Sequence, residues 1–302
     1  MLIGVVEIVT ELVWGTELVV QIQQFFGSGW HWFFEIVTEF GDTPGLLILV
    51  GLTFWRSGRR LAYSLIGIVL LAMVTDLLIG FLIGLPRPED PRLTVWKDEF
   101  TPSFPSGHTG VATALWGLLA ALDWLPKVVA VLVVAGVMLS RLYLGVHYLG
   151  DVLGGLLISA VLVEAYLRLL PSLDRFFSQL SFTVYQFGGG LILAVVLVAI
   201  PFAGSSTRVW QILGTIAGIV IGGLVEYRYV QYEPARSLQP LKTLIGLGVV
   251  VLLYAISYVI NSDQLLLQAL IFFLAALWTL LIAPALFRGE LSATSVDSKR
   301  FC

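Results

Sequence analysis

The stretch TPSFPSGHTGVATALWGLL (residues 101–119) decides how this chain is interpreted, because a polar turn runs directly into an apolar segment. Two prolines stop the preceding connection, and Ser106 and Gly107 then begin a predicted helix. His108 stands in the first turn of that helix and is one of three histidines in the sequence. Alone it is typical of a helix cap, so its meaning depends on what the rest of the chain brings beside it.

The composition around this stretch is that of a membrane protein. Of the 302 residues, 58% are hydrophobic and 12% are charged, and the mean hydropathy is +0.94. A soluble domain carries about twice that share of charged residues, and several apolar stretches approach the roughly 20 residues that cross a bilayer. Helices satisfy their own backbone hydrogen bonds in lipid, so we expect an all-α fold, a polytopic membrane helical bundle.

Cysteine content and charge exclude other classes. The single cysteine, Cys302, rules out a disulfide framework and CxxC metal sites. The net charge of −3 gives no indication of a nucleic-acid partner.

The apolar pattern divides the chain into four parts. Glutamates and glutamines interrupt residues 1–40 at helical spacing, which predicts amphipathic helices at the membrane interface, with a short first span as the alternative. The motif GDTP (residues 41–44) then predicts a turn and a helix N-cap, with Pro44 just inside the helix. A core of about five to six helices follows over residues 41–172, and about four further spans cover residues 182–288. Residues 289–302 form a polar tail.

Basic residues orient the nine predicted spans that follow residue 40. If RSGRR (residues 56–60) is cytoplasmic and each span crosses once, 12 of the 17 lysines and arginines lie on the cytoplasmic side. The other five are Arg87, Arg92, Lys97, Arg141 and Arg208. The same alternation places the loop before His108 and the loop around His147 together on the extracytoplasmic face.

Three segments on that face carry polar residues suited to a phosphate: LPRPED (85–90), FPSGH (104–108) and SRLYLGVHYLGD (140–151). A helix N-terminus binds anions through its free backbone N–H groups, and Gly107 lets the backbone approach them closely. The planar guanidinium groups of Arg87 and Arg141 match phosphate oxygens.

The two histidines supply the chemistry. His147 and Asp151 lie four residues apart, so on a helix they share a face, and the carboxylate can hold the imidazole in one tautomer. This makes His147 a candidate nucleophile, and His108 a candidate donor of the proton that a leaving group needs. The parts predict phosphoryl transfer through a phosphohistidine, driven by positioning and electrostatics, with no metal and no cofactor.

This set of residues resembles the type 2 phosphatidic acid phosphatase family, the lipid phosphatase and haloperoxidase-like superfamily, in an integral membrane member. The family motifs are KxxxxxxRP, PSGH and SRxxxxxHxxxD. Residues 105–108 and 140–151 match the second and third at every fixed position, whereas the first survives as Arg87-Pro88 with Gly80 at the lysine position. The resemblance covers about residues 30–170 and leaves the last four spans outside it.

The resemblance implies a role for each residue of the set. It implies that His147 is the nucleophile, Asp151 its orienting partner and His108 the general acid. It implies that the phosphate is held by Arg87, Ser106, Gly107 and Arg141. Lys97 and Arg92, in the same loop, are candidate substitute cations for the missing lysine.

The expected function is that of a membrane lipid phosphatase that takes its substrate from the bilayer. The substrate is a lipid phosphomonoester or diphosphate, either phosphatidic acid-like or a polyprenyl diphosphate, and a site on the outer face of the plasma membrane favours the latter. Two alternatives stay open: a lipid phosphotransferase that uses the same phosphohistidine, and a non-catalytic transporter or scaffold. The oligomeric state is not determined by the sequence.

Overall fold

The structure, a computed structural model, describes residues 2–97, 99, 101–234, 239–260 and 264–288. These residues form helices and connections without any strand, which confirms the all-α fold class. The α-helices are α1 Leu2–Trp14, α2 Glu17–Phe26, α3 His31–Thr38, α4 Thr43–Ser57, α5 Arg59–Ile83, α6 Gly107–Ala121, α7 Lys127–Tyr143, α8 Leu149–Ser178, α9 Phe182–Ala199, α10 Thr207–Val225, α11 Gln239–Val259, α12 Leu265–Leu277 and α13 Ala283–Arg288. The predicted polar tail, 289–302, lies outside the described residues.

All nine predicted spans are helical, but they differ in length. Among the described residues, six helices are long and apolar enough to cross a membrane, and a bent pair at Ser28–Gly41 and Thr43–Ser57 raises the number to seven. With 15 and 17 residues, α6 and α7 reach only about 22 and 26 Å at 1.5 Å per residue, less than a bilayer core of about 30 Å. The protein is a multi-span integral membrane protein, and its described residues contain fewer full-length crossings than the nine predicted.

The first of two compact units comprises the described residues up to Leu46 together with Leu65–Ser172. In this unit α7 packs against α6 on one side and against α2 and α3 on another. The rings of Phe34 and Tyr143 stack with centroids 4.2 Å apart, and burial of each aromatic side chain stabilises the fold by about 1.5–3 kcal/mol. The N-terminal helices therefore pack against the end of α7 that carries the third motif.

The second unit comprises Leu47–Ser64 and the described residues from Leu173 on. Its α10 and α12 lie unusually close together. A Cβ atom at Gly214 would lie 2.0 Å from the Ala269 carbonyl oxygen, and one at Gly218 would lie 2.6 Å from that of Phe273. Small residues permit this approach between helices in membranes, so helix packing accounts for both glycines.

Candidate active site

The N-terminus of α6 is fixed to the start of α8. Ser106, the buried residue before α6, has an extended backbone (φ −74°, ψ 106°) and donates its backbone N–H to the Asp151 carbonyl oxygen at 3.0 Å. Its Oγ accepts a hydrogen bond from Thr109 Oγ1 at 3.2 Å. Open space surrounds the position that a Cβ atom would take at Gly107. An anion can therefore approach the first backbone N–H groups of α6.

His147 and Asp151 are adjacent, as the four-residue spacing predicts. His147 lies between α7 and α8, and its Nδ1 is 3.4 Å from Oδ2 of Asp151 in the first turn of α8. The same oxygen accepts hydrogen bonds from the Tyr148 backbone N–H, at 2.7 Å, and from Ser103 Oγ. A carboxylate at Nδ1 selects the tautomer with its proton on that nitrogen, so the lone pair of His147 is on Nε2.

Arg87 faces that lone pair. Its Nη1 lies 3.4 Å from His147 Nε2 and donates to the Val146 carbonyl oxygen at 2.7 Å, while its Nε donates to the Thr101 carbonyl oxygen at 3.0 Å. The connection before α6 and the turn after α7 therefore meet, as the membrane alternation predicts. An anion bound by Arg87 would lie beside Nε2 of His147.

Arg141, the second predicted phosphate ligand, is completely buried in α7. Its Nη1 donates to Thr38 Oγ1 at 3.1 Å, and its Nη2 donates to the carboxylate of Glu99. Sequence reasoning missed both partners. The acidic residues in the connection before α6 are the sequence feature that could have indicated Glu99 as a partner. Thr38 lies in a helix that the sequence assigns to the membrane interface, so nothing indicated its contact with Arg141.

His108 lies against a carboxylate that the motifs do not include. Its Nε2 is 3.3 Å from Asp42 Oδ2, and its side chain is 2% exposed. Asp42 also caps α4, within the turn that the sequence predicts, because its Oδ1 accepts the Thr43 N–H at 2.7 Å and its carbonyl oxygen accepts the Leu46 N–H at 3.0 Å. The sequence identified the cap but not the contact with His108.

A glutamine of α2 holds the connection before α6 in place. Gln23 Nε2 donates to the carbonyl oxygens of Thr94, at 2.8 Å, and Tyr143, at 2.7 Å, and its Oε1 accepts the Thr94 N–H at 3.0 Å. One side chain thus joins α2, the polar connection and the end of α7. No motif pointed to this residue.

The two candidate substitute cations are each paired with carboxylates. Arg92 donates to Glu17 at 3.0 Å and to Asp90 at 2.8 Å, and its side chain is 53% exposed. Lys97 Nζ lies 3.0 Å from Glu39 Oε1. A role for either residue at the phosphate remains a prediction.

Position 80, where the family has lysine, faces the residue before the second motif. A Cβ atom at Gly80 would lie 3.3 Å from the Phe104 carbonyl oxygen. A side chain at this position would therefore extend along the loop that leads to His108.

Burial sets the protonation state of His147. Its pKa is lowered to about 4, mainly by loss of solvation; Asp151 opposes this decrease, and the nearby Arg141 and Arg87 contribute to it. The imidazole is therefore neutral at ordinary pH, as a nucleophile must be.

Fold and site together define a multi-span integral membrane protein with a histidine–arginine site held between helix ends. Residues 61–175 match the model of the PAP2 superfamily, and residues 210–294 match that of the PAP2 superfamily phosphatase, transmembrane extension. The chain therefore contains a PAP2 superfamily domain followed by the PAP2 transmembrane extension, which confirms the family predicted from its motifs. The second match adds most of the last spans, which the motif resemblance left outside.

Similar proteins carry lipid phosphatase names. Lipid phosphate phosphatase delta of Arabidopsis thaliana is 25% identical over 74% of this chain and 59% of its own length. Sphingosine-1-phosphate phosphatase 2 of Homo sapiens is 30% identical over 44% of this chain and 36% of its own. Sphingosine-1-phosphate phosphatase 1 of Mus musculus is 26% identical over 70% of this chain and 52% of its own length. The chain therefore spans about a third to three fifths of these relatives.

One solved structure is similar to part of this chain. It is the crystal structure of a transmembrane PAP2 type phosphatidylglycerolphosphate phosphatase from Bacillus subtilis, with a TM-score of 0.43 and 22% identity. The match covers 55% of this chain and 87% of that one.

Proposed function

We propose that the protein is a membrane lipid phosphatase that hydrolyses a lipid phosphate ester through a phosphohistidine at His147. The observation that carries the proposal is the orientation of that ring: Nδ1 faces Asp151 at 3.4 Å, and Nε2 faces Arg87 at 3.4 Å. The nucleophilic nitrogen and a phosphate-binding guanidinium thus lie side by side.

In the first step, Nε2 of His147 attacks phosphorus and the bond from phosphorus to the alkoxide oxygen breaks. His108 gives its proton to that oxygen, so the lipid leaves as an alcohol. Asp151 stabilises the charge that develops on the imidazole of His147. Arg87, Arg141 and the N-terminus of α6 stabilise the phosphoryl oxygens.

In the second step, neutral His108 takes a proton from water as the water oxygen attacks phosphorus. The P–N bond breaks, its electron pair returns to Nε2 of His147, and inorganic phosphate is released. Both histidines then regain their initial protonation states. The positive charge comes from arginines and a helix terminus, so we propose a reaction that is independent of added metal.

The substrate is a lipid phosphomonoester or diphosphate that enters from the bilayer. The names of the similar proteins favour a phosphomonoester of the sphingoid or glycerolipid type over the polyprenyl diphosphate that the sequence favoured. Since the distribution of basic residues supports an outward-facing site, we place the reaction on the extracytoplasmic face of the plasma membrane.

Phosphate release in detergent tests the proposal. The purified protein is given sphingosine-1-phosphate, phosphatidic acid or a polyprenyl diphosphate, with EDTA and without an alcohol acceptor. We expect turnover of at least one lipid, and its loss in His147→Ala. The matched control is His31→Ala, because His31 stacks on Trp96 with ring centroids 4.9 Å apart and has no role in the reaction.

Three results would contradict the proposal. They are an active His147→Ala variant, turnover that EDTA abolishes, and consumption of the lipid phosphate only when an alcohol is added, with the phosphorylated alcohol formed in place of inorganic phosphate. The last result would identify a phosphotransferase.

A further inference from the structure

Asp42 brings a second carboxylate–histidine pair to the site. Its Oδ2 is 3.3 Å from Nε2 of His108, and the two side chains are 12% and 2% exposed. The residues come from separate elements, the turn before α4 and the first turn of α6. The pair therefore depends on how these two helix starts pack.

Gly41 makes that packing possible. A Cβ atom at this position would lie 2.4 Å from the His108 carbonyl oxygen and 3.1 Å from a methyl group of Val137. Any side chain would push the turn away from α6, whereas glycine lets the two backbones approach. The carboxylate of the next residue is thereby held against the imidazole.

The surroundings of Asp42 favour its ionised form. Its Oδ1 accepts the Thr43 N–H at 2.7 Å at the N-terminus of α4, where the helix dipole stabilises negative charge. A carboxylate near an imidazole favours the imidazolium form. Among the described residues, other charged groups on elements around the start of α6 are Asp76 of α5, Arg87 and Glu99 of the connection, Arg141 of α7, His147 between α7 and α8, and Asp151 of α8.

We propose that Asp42 is a positioning residue that keeps His108 in its protonated form, ready to protonate the leaving group. This inference rests on the proposed function, in which His108 is the general acid. Both nitrogens of a cationic imidazole are donors. Because Nε2 of His108 faces Asp42 at 3.3 Å, we assign the transferred proton to Nδ1, which gives it to the alkoxide and regains it from water in the second step.

The site then contains two Asp–His pairs with opposite tasks. Asp151 binds Nδ1 of His147 and leaves Nε2 free of a proton for attack. Asp42 lies against Nε2 of His108 and stabilises the charged ring. The first pair holds neutral His147 ready as the nucleophile, and the second keeps His108 protonated as the general acid.

The main test is Asp42→Asn, because asparagine is also a good N-cap and removes the charge alone. On an alkyl phosphate we expect kcat/KM to fall about 10- to 100-fold, a part of the 10²–10⁴-fold effect of general acid catalysis. On p-nitrophenyl phosphate, whose leaving group needs no proton, we expect less than about a threefold loss. The alkaline limb of the pH profile should move to lower pH, and Asp42→Glu should restore part of the rate.

The matched control is Asp123→Asn, the same change at the exposed residue beyond the other end of α6. An equal loss on both phosphates, or an unmoved alkaline limb, would overturn the inference. If Asp42→Asn does not fold, a pH titration of the histidine ring ¹⁵N resonances in the wild-type protein replaces it. The sequence has three histidines, so few signals have to be assigned. A pKa of His108 above the ordinary value of about 6.5 supports the inference, and one below it refutes it.

These outcomes are separable from a failure of the proposed function. If the wild-type protein releases no phosphate from any lipid, or if His147→Ala remains active, the mechanism itself is wrong. If the wild-type protein is active and His147→Ala is inactive, but Asp42→Asn is unchanged, the role of Asp42 alone is wrong.

Discussion

Glu99 accepts a hydrogen bond from Arg141, and both side chains are buried. The guanidinium that we assign to phosphate binding therefore already has a carboxylate beside it. Carboxylate and phosphate are both anions that bind guanidinium donors. A substrate phosphate must share Arg141 with Glu99 or displace it.

Replacement of Glu99 by glutamine should strengthen the binding of inorganic phosphate. We expect the inhibition constant of the product to fall about tenfold, equivalent to about 1.4 kcal/mol, because a competing negative charge is removed. Competitive inhibition by phosphate measures this constant. Glu89→Gln, an exposed position in the same connection, is the control. An unchanged or higher inhibition constant for Glu99→Gln would contradict the competition.

Loss of the charge on Asp151 should reduce catalysis severely without removing substrate binding. In Asp151→Asn, Nδ1 of His147 faces an amide that does not stabilise the imidazolium, so we expect kcat to fall about 10³–10⁴-fold. KM should change little. Ser103→Ala should cost far less, since Asp151 keeps its hydrogen bond from the Tyr148 N–H. Steady-state kinetics measures both variants, and similar losses in the two would refute this assignment.

The low pKa of His147 predicts that activity persists at acid pH while the free energy of unfolding decreases. The ring stays neutral until the pH falls to about 4, so it remains a nucleophile well below the ordinary histidine pKa of about 6.5. Between these values the unfolded chain binds more protons than the folded one, so the free energy of unfolding rises with pH up to about 6.5.

Histidine ¹⁵N resonances measure this pKa without interference from the ionisation of the substrate. The His147 signal is assigned as the one lost in His147→Ala. Thermal unfolding between pH 4 and 7 checks the stability. A midpoint for His147 near 6.5 would contradict the structure's account of its burial.

The parts of the site that the sequence predicted are those encoded locally. His147 and Asp151 are four residues apart at a helix start, and Ser106 and Gly107 adjoin His108, so short-range geometry places them. Arg87 joins them because α6 and α7 form a pair that leads the chain back to the same end. An antiparallel pair of helices brings the chain back to the same end whether or not α6 and α7 cross the whole membrane.

The parts that the sequence did not predict depend on long-range packing. Thr38 contacts Arg141 across 103 positions of the chain, and Gln23 reaches Tyr143 across 120. Each lies in a segment whose local pattern indicates an interfacial helix and nothing more. The side chain of Asp42 satisfies a local cap signal fully, so its second contact, with His108, left no trace in the sequence.

The missing family lysine leads to a double-mutant test. Lys97→Ala should lower kcat/KM on a lipid phosphate about tenfold if Lys97 supplies the cation that Gly80 lacks. Gly80→Lys extends a positive side chain along the loop at Phe104, which lies 3.3 Å from a Cβ atom at this position. In that background we expect Lys97→Ala to cost less than about threefold, because independent effects add and shared ones do not. Arg92→Ala, measured in both backgrounds, tests the other candidate. An equal loss with and without Gly80→Lys would show that Lys97 acts through its pair with Glu39 rather than at the phosphate.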